Sequence, residues 1–235
     1  MTERRNISKE DEIRIWGEEG FRVFLSHKSE VKKDAAYLKN QLKFYEISCF
    51  VAHEDIKPTL EWQNEIENAL FSMDAFVALM TPGFHESNWT DQEVGFAVGR
   101  GVPIIPLKLG KDPYGFIGKL QALSCQLYYA PLEIVKILIK QDQMVDAYIK
   151  AVKKCRSFDE ANRLSEILPS ITKLSDHQAE NLISAFNEND QVCGSFGFSE
   201  DDTQKDGNGL VYHLNRLMSR QYEISDGEIK VKAVL

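Results

Sequence analysis

The sequence predicts an α/β fold in which helices cover both faces of a parallel sheet, followed by a smaller, mainly helical region. Three observations carry this. Between residues 21 and 129, five short apolar runs alternate with segments of helical spacing, as in a parallel sheet joined by crossover helices. At Pro131 the texture changes, and the remaining chain is helical in pattern almost to its end. A hydrophobic content of 43% and a charged content of 27% suit a globular chain, and 235 residues suffice for a medium domain with a small companion.

The elements follow in order. FRVFLS (21–26) is the first strand, a buried apolar run. VKKDAAYLKNQLKFY has Ala35, Leu38 and Leu42 on one helical face. ISCFVA (47–52) is the second strand, and HEDIKPTLE is a polar loop interrupted by Pro58. WQNEIENALFS returns to helical period through Trp62, Ile66, Ala69 and Leu70. DAFVALM (74–80) is the third strand, and PGFHES is a turn. Ser87 or Asn88 is the expected N-cap of the next helix, which ends near Gly99 and Gly101. VPIIPLKL (102–109) is the fourth strand, its prolines pointing to an edge or a short pairing. KDPYGFIGKLQAL is a loop with a short helix, and CQLYY (125–129) is the fifth strand.

Beyond Pro131 the run LEIVKILIKQDQMVDAYIKAVKKC reads as a long helix, and three further helical patterns follow. SFGFSEDDTQKDGNG is a polar connection, and QYEISDGEIKVKAVL reads as a hairpin closing on Asp226-Gly227. The expected organisation is an N-terminal extension (1–19), the α/β domain (20–130) and a mainly helical C-terminal region (131–235).

Composition excludes several functions. A net charge of −8 argues against a nucleic-acid backbone as partner, since that binding is driven by basic patches. No apolar run reaches the roughly 18 residues of a membrane span. The start MTERRNISKEDEIRIW lacks the apolar core of a secretory signal, so a cytoplasmic location is expected. Cys49, Cys125, Cys155 and Cys193 are far apart, as are the five histidines, so neither a metal site nor a redox pair is indicated. P-loop and dinucleotide-binding glycine motifs are missing too.

The segment SNWTDQEVGF (87–96) poses a question of chemistry. Four residues apart on a helix, Trp89 and Glu93 share a face, which Ala97 continues. Glu93 therefore lies beside apolar groups, on a helix that starts at the carboxyl end of the sheet, where open α/β sheets place ligands. The ordinary reading is a solvated glutamate favoured by the helix dipole.

FRVFLSHKSE, CFVAHEDIKPTLEWQNEIENAL and DAFVALMTPGFHESNWTDQEVGFAVGRGVPIIPL, in this order and spacing, resemble a TIR (Toll/interleukin-1 receptor) domain of the bacterial kind over about residues 20 to 130. The resemblance implies a flavodoxin-like sheet of five parallel strands. It also implies that the 53–61 loop borders the active site and mediates self-association. Many TIR domains outside the adaptor subset cleave NAD+, with a catalytic glutamate in the helix after the third strand, four residues beyond a tryptophan. That pattern falls on Trp89 and Glu93.

At its reference pKa of about 4.3, Glu93 would be ionised at neutral pH. Ser26, His27 and Lys28 end the first strand, at family positions lining the nucleotide pocket. Lys28 is a candidate for phosphate, or a solvated loop lysine. Trp62 is placed to stack on a base, or is the first core residue of its helix. Trp89 is a pocket wall, a packing residue, or both.

The leading expectation is an NAD+ glycohydrolase or cyclase that takes NAD+ as substrate and uses no cofactor or metal. It would release nicotinamide with ADP-ribose or a cyclic ADP-ribose isomer. By analogy it would serve bacterial antiphage defence, the cyclic product being read by a downstream effector. The alternative is a non-catalytic TIR interaction or scaffold module acting by self-association. A receiver domain is disfavoured, since the first strand ends LSHK without an acidic cluster.

Overall fold

The computed structural model describes residues 7–18, 20–51, 62–87, 89–199 and 209–232. The chain divides into two compact units, Met1–Ile134 and Val135–Leu235.

In the first unit, four parallel strands form one sheet in the order β2-β1-β3-β4: β1 (Phe21–Ser26), β2 (Ile47–Phe50), β3 (Ala75–Met80) and β4 (Ile104–Lys108). Register sets the core. Phe24 pairs with Phe50 on one side and Phe76 on the other, so three rings lie abreast across the sheet. The Phe24 ring centroid is 5.3 Å from that of Phe50 and 5.6 Å from that of Phe76. Their face carries one apolar cluster with Trp16 of α1 (Lys9–Trp16), Ile66, Ala69 and Leu70 of α3 (Trp62–Ser72), and Val94 and Ala97 of α4 (Thr90–Arg100). Val23, Leu25, Val77 and Leu79, which alternate onto the opposite face, are also buried and stand outside that cluster. The helix α2 (Lys32–Leu42) buries the expected Ala35, Leu38 and Leu42.

The structure corrects two expectations in this unit and adds to a third. The sheet has four strands among the described residues, and CQLYY is not a fifth. A single parallel bridge, Leu107 to Leu123, stands beside β4 instead. Residues 126–130 turn tightly, with Tyr129 N–H donating to Gln126 O (2.9 Å) and Ala130 N–H to Leu127 O (3.2 Å). Tyr128 and Tyr129 are exposed, so their strand propensity finds no buried face to satisfy. The expected extension at 1–19 contains α1, which joins the core: Trp16 is buried and donates its Nε1–H to Ser72 Oγ at 2.7 Å. The N-cap of α4 is Trp89. Ser87 Oγ accepts from the Trp89 N–H at 3.3 Å, and Asn88 lies outside the described residues. The edge position of β4 and the C-cap at Gly101 are as read from the sequence.

The helix α5 (Ala130–Leu138) contains the division between units. The long helix expected from Leu132 is two helices, interrupted before α6 (Asp142–Lys153). In the second unit α6 packs against α8 (Asp176–Glu188), with α7 (Phe158–Ser165), the short α9 (Asp190–Cys193) and α10 (Leu210–Leu217) around them. Ser175 and Gln178 form a capping box at the start of α8. The same Gln178 amide donates to Asp146 Oδ1 of α6 at 2.9 Å. The expected hairpin is present: β5 (Tyr222–Ser225) and β6 (Glu228–Val231) pair antiparallel across Asp226-Gly227, both at positive φ. Asn187 of α8 bonds the Ile229 N–H and carbonyl, fixing the hairpin to that helix.

Candidate active site

β1 lies between β2 and β3, so the chain leaves β1 towards one neighbour and later returns on its other side. At such a switch point the connections diverge beyond the carboxyl ends of the strands and leave a crevice. Ser26, the last residue of β1, is held there by pairing with Ala78 of β3. Two residues beyond Phe24, it shares the face covered by α3 and α4.

The helix α4 brings Glu93 to the same place. Its buried positions are Thr90, Glu93, Val94 and Ala97, a stripe of helical period with a carboxylate in it. Thr90 Oγ1 donates to Phe84 O at 2.5 Å, anchoring the start of the helix to the turn after β3. Arg100 donates to Leu70 O at 2.9 Å and to Phe71 O, tying the end of α4 to α3. Between these anchors, Ser26 Oγ–H donates to Glu93 Oε2 at 2.5 Å. Ser26 is 1% exposed and Glu93 is 5% exposed.

Burial without a charged partner among the described residues alters the chemistry of this carboxyl. Desolvation pushes its pKa up to about 7, against a smaller opposing effect of the Ser26 hydrogen bond. The expectation that Glu93 is ionised at neutral pH is therefore corrected. Near pH 7 its protonated and ionised forms are comparably populated, because the apolar stripe favours the neutral one.

The other expected residues are distributed around this pair. His27 is buried directly after Ser26. Lys28 is engaged by two carboxylates, Glu86 Oε2 at 2.8 Å and Glu30 Oε1 at 3.3 Å. Chiefly through the Glu86 hydrogen bond, its pKa is raised. A phosphate at Lys28 would have to compete with both acids. Trp89 is half-buried, and its carbonyl accepts the Glu93 N–H at 2.9 Å. Trp62 opens α3. The 53–61 loop lies outside the described residues.

Several partners were not expected. Glu86 meets Lys28 across 58 positions of sequence. Tyr114 donates to Asp91 on the exposed side of α4. Thr81, just after β3, is buried, and its hydroxyl has no hydrogen-bond partner among the described residues. Only Thr90 carried a usable signal, as a threonine at a helix start that bonds backbone locally.

The family model described as a TIR domain matches residues 23–133, which takes in β1 from Val23 onward, the other three strands and the Ser26–Glu93 pair. Residues 23–133 form a TIR domain. Among solved structures the chain is similar to the TIR domain of the Toll-related receptor TRR-2 from the lower metazoan Hydra magnipapillata, with 18% identity and a TM-score of 0.42. That match covers 49% of this chain and 94% of the Hydra chain. No curated protein matches the sequence. Within the TIR domain, the tryptophan and glutamate of the fourth helix fall at the switch point of the sheet. Among the described residues, no helix is long and apolar enough to cross a membrane.

Proposed function

We propose that the TIR domain cleaves the bond between nicotinamide and ribose in NAD+, with Glu93 as the catalytic residue. One observation carries this: a carboxylate buried at the carboxyl edge of the sheet, hydrogen-bonded by a serine hydroxyl from β1. Isolated burial of a carboxylate is costly, and such costs concentrate where chemistry needs them.

The chemistry demands little else. The nicotinamide of NAD+ is cationic, so when the C1–N bond breaks it leaves as a neutral molecule with the bonding electron pair. Positive charge passes to the ribose, which becomes oxocarbenium-like. Ionised Glu93 stabilises that charge and holds the ribose hydroxyls. Water then adds its oxygen to C1 and releases a proton, giving ADP-ribose. Attack by an adenine nitrogen gives a cyclic isomer instead. The positively charged nicotinamide ribose itself favours the ionised carboxylate, so substrate binding draws Glu93 out of its neutral form. NAD+ depletion, or a cyclic product read by an effector, would serve antiphage defence, as the resemblance implies.

A second reading, a TIR interaction module, draws support from the exposed Phe116, Tyr128 and Tyr129. Incubation of the purified chain with NAD+, across a range of protein concentrations and with products resolved by chromatography, separates the two. Nicotinamide release supports the enzyme. Concentration-dependent association with intact NAD+ at every concentration supports the module.

A further inference from the structure

We propose that Ser26 is a positioning residue for Glu93: its hydroxyl, delivered by the carboxyl end of β1, holds one carboxylate oxygen and leaves the other to the ligand. The proposal rests on the NAD+-cleaving function above.

The geometry supports a dedicated role. A glutamate side chain has three rotatable bonds, and fixing it costs rotamer entropy that a catalytic site must offset. Ser26 can offset it because its own backbone has little freedom. It ends a strand that is bonded on both sides, by β2 and by β3, and its register with Ala78 is set by four consecutive pairings. The helix carrying Glu93 is held at its start by Thr90 and at its end by Arg100. A short hydroxyl on a fixed strand thus meets a long carboxylate on a fixed helix at 2.5 Å. Both side chains are more than nine-tenths buried, so water competes poorly for the bond.

Among the described residues, the surroundings leave this role to Ser26. The elements packed against α4 are β1, β3, α3 and the turns at Phe84–Glu86 and Gly115–Ile117. Among the described residues, the ionisable groups on or next to these elements include Arg22 on β1, His27 and Lys28 after it, Glu65 and Glu67 on α3, His85 and Glu86 on the first turn, and Tyr114 before the second. Asp91 lies on α4 itself and accepts from Tyr114. Glu65 is paired with Arg14, and Glu86 with Lys28. The displaced pKa of Glu93 has two causes, burial and the Ser26 bond. A hydroxyl donating to the ionised form opposes burial, so Ser26 both orients the carboxylate and keeps it titrating near neutrality.

The test titrates Glu93 in the full chain without NAD+, by 13C NMR of the glutamate carboxyl groups, with Glu93→Gln identifying its signal. Ser26→Ala is expected to move the titration midpoint upward by about 0.5 to 1 on the pH scale, and Ser26→Thr to restore it. Ser26→Cys, nearly isosteric and a weak donor, is expected to lie between, and it serves if the alanine variant folds poorly. In NAD+ cleavage, Ser26→Ala should lose roughly three- to eightfold at pH 6.5 and less than about twofold at pH 9. On the acid side of the midpoint the ionised fraction falls about tenfold for every pH unit by which the midpoint rises, whereas on the basic side it stays near complete. A midpoint unmoved in both Ser26→Ala and Ser26→Cys overturns the proposal. If the chain cleaves no NAD+ under any condition, the function above fails, while the NMR midpoint still decides whether Ser26 governs Glu93.

Discussion

Two neighbouring helices of the TIR domain each bury a glutamate at their fourth residue, and the two keep different company. In α3, Glu65 is 4% exposed and is paired with Arg14 of α1, which also contacts Asp11. In α4, Glu93 is 5% exposed and meets a neutral hydroxyl. The first arrangement is closed: the charge is matched inside the protein, and the pair locks α1 onto α3. The second leaves a carboxylate at the ligand edge of the sheet, bonded by Ser26 and, among the described residues, not matched by a cation. A ligand that brings positive charge completes it. Equal burial therefore serves assembly in one helix and chemistry in the other, and the partner decides which.

The largest effect should come from removing the charge of Glu93. Glu93→Gln is expected to lower nicotinamide release by about a hundredfold or more, the scale of losing one electrostatic stabiliser. Stability should change in the opposite sense. The folded pKa of about 7 lies above the ordinary 4.5, so the native state binds the proton more tightly than the unfolded state. The cost of burying the carboxylate is then absent below about pH 4.5, grows as pH rises towards 7, and is complete above it. Glu93→Gln should match the parent in urea denaturation near pH 4.5 and exceed it by up to about 3 kcal/mol at pH 8. Near-normal turnover, or a stability difference that does not vary with pH, would break the contrast between the two glutamates.

Next in size is the closed pair. Arg14→Leu strands the Glu65 charge and should destabilise the chain by about 2 kcal/mol in urea denaturation. That is below the cost of breaking a fully buried pair, because Arg14 keeps some contact with water. A loss under about 0.5 kcal/mol would place Glu65 among surface-type pairs instead.

The smallest effect is expected at Gly83, in the turn that carries Glu86, the partner of Lys28. Its φ is +82°, and a Cβ there would stand 2.6 Å from Glu86 Oε2 and 2.9 Å from Lys28 Nζ. Both are ends of flexible side chains, so they move aside, and the left-handed backbone supplies most of the cost. Gly83→Ala should therefore lose about 1 kcal/mol of stability. NAD+ cleavage should stay within about threefold of the parent. A far larger fall in cleavage would bring the Lys28–Glu86 pair into the catalytic machinery.

Much of the fold was legible because periodicity is a local property. The runs 21–26, 47–52, 74–80 and 102–109 each contain a strand, and the helical faces of α2, α3 and α4 were read from spacing alone. Asp226-Gly227 announced its hairpin through turn chemistry. CQLYY misled for the complementary reason: strand propensity is realised only against a buried face, and Tyr128 and Tyr129 have none. The long helix past Leu132 hid a break over Ile139, Lys140 and Gln141, where no glycine or proline marks it.

By itself, the sequence determined which residue types recur at which period, and so the α/β class, the order of elements and Glu93 as the residue to examine. Only the tertiary structure decided what surrounds that glutamate. Ser26 lies 67 positions away in sequence, and Lys28 finds Glu86 across 58. Burial and its partners move a carboxyl from its ordinary pKa to about 7, and they exist only once β1, β3 and α4 are brought together. Desolvation is a property of the packed environment, and no spacing of residues along a chain encodes it directly.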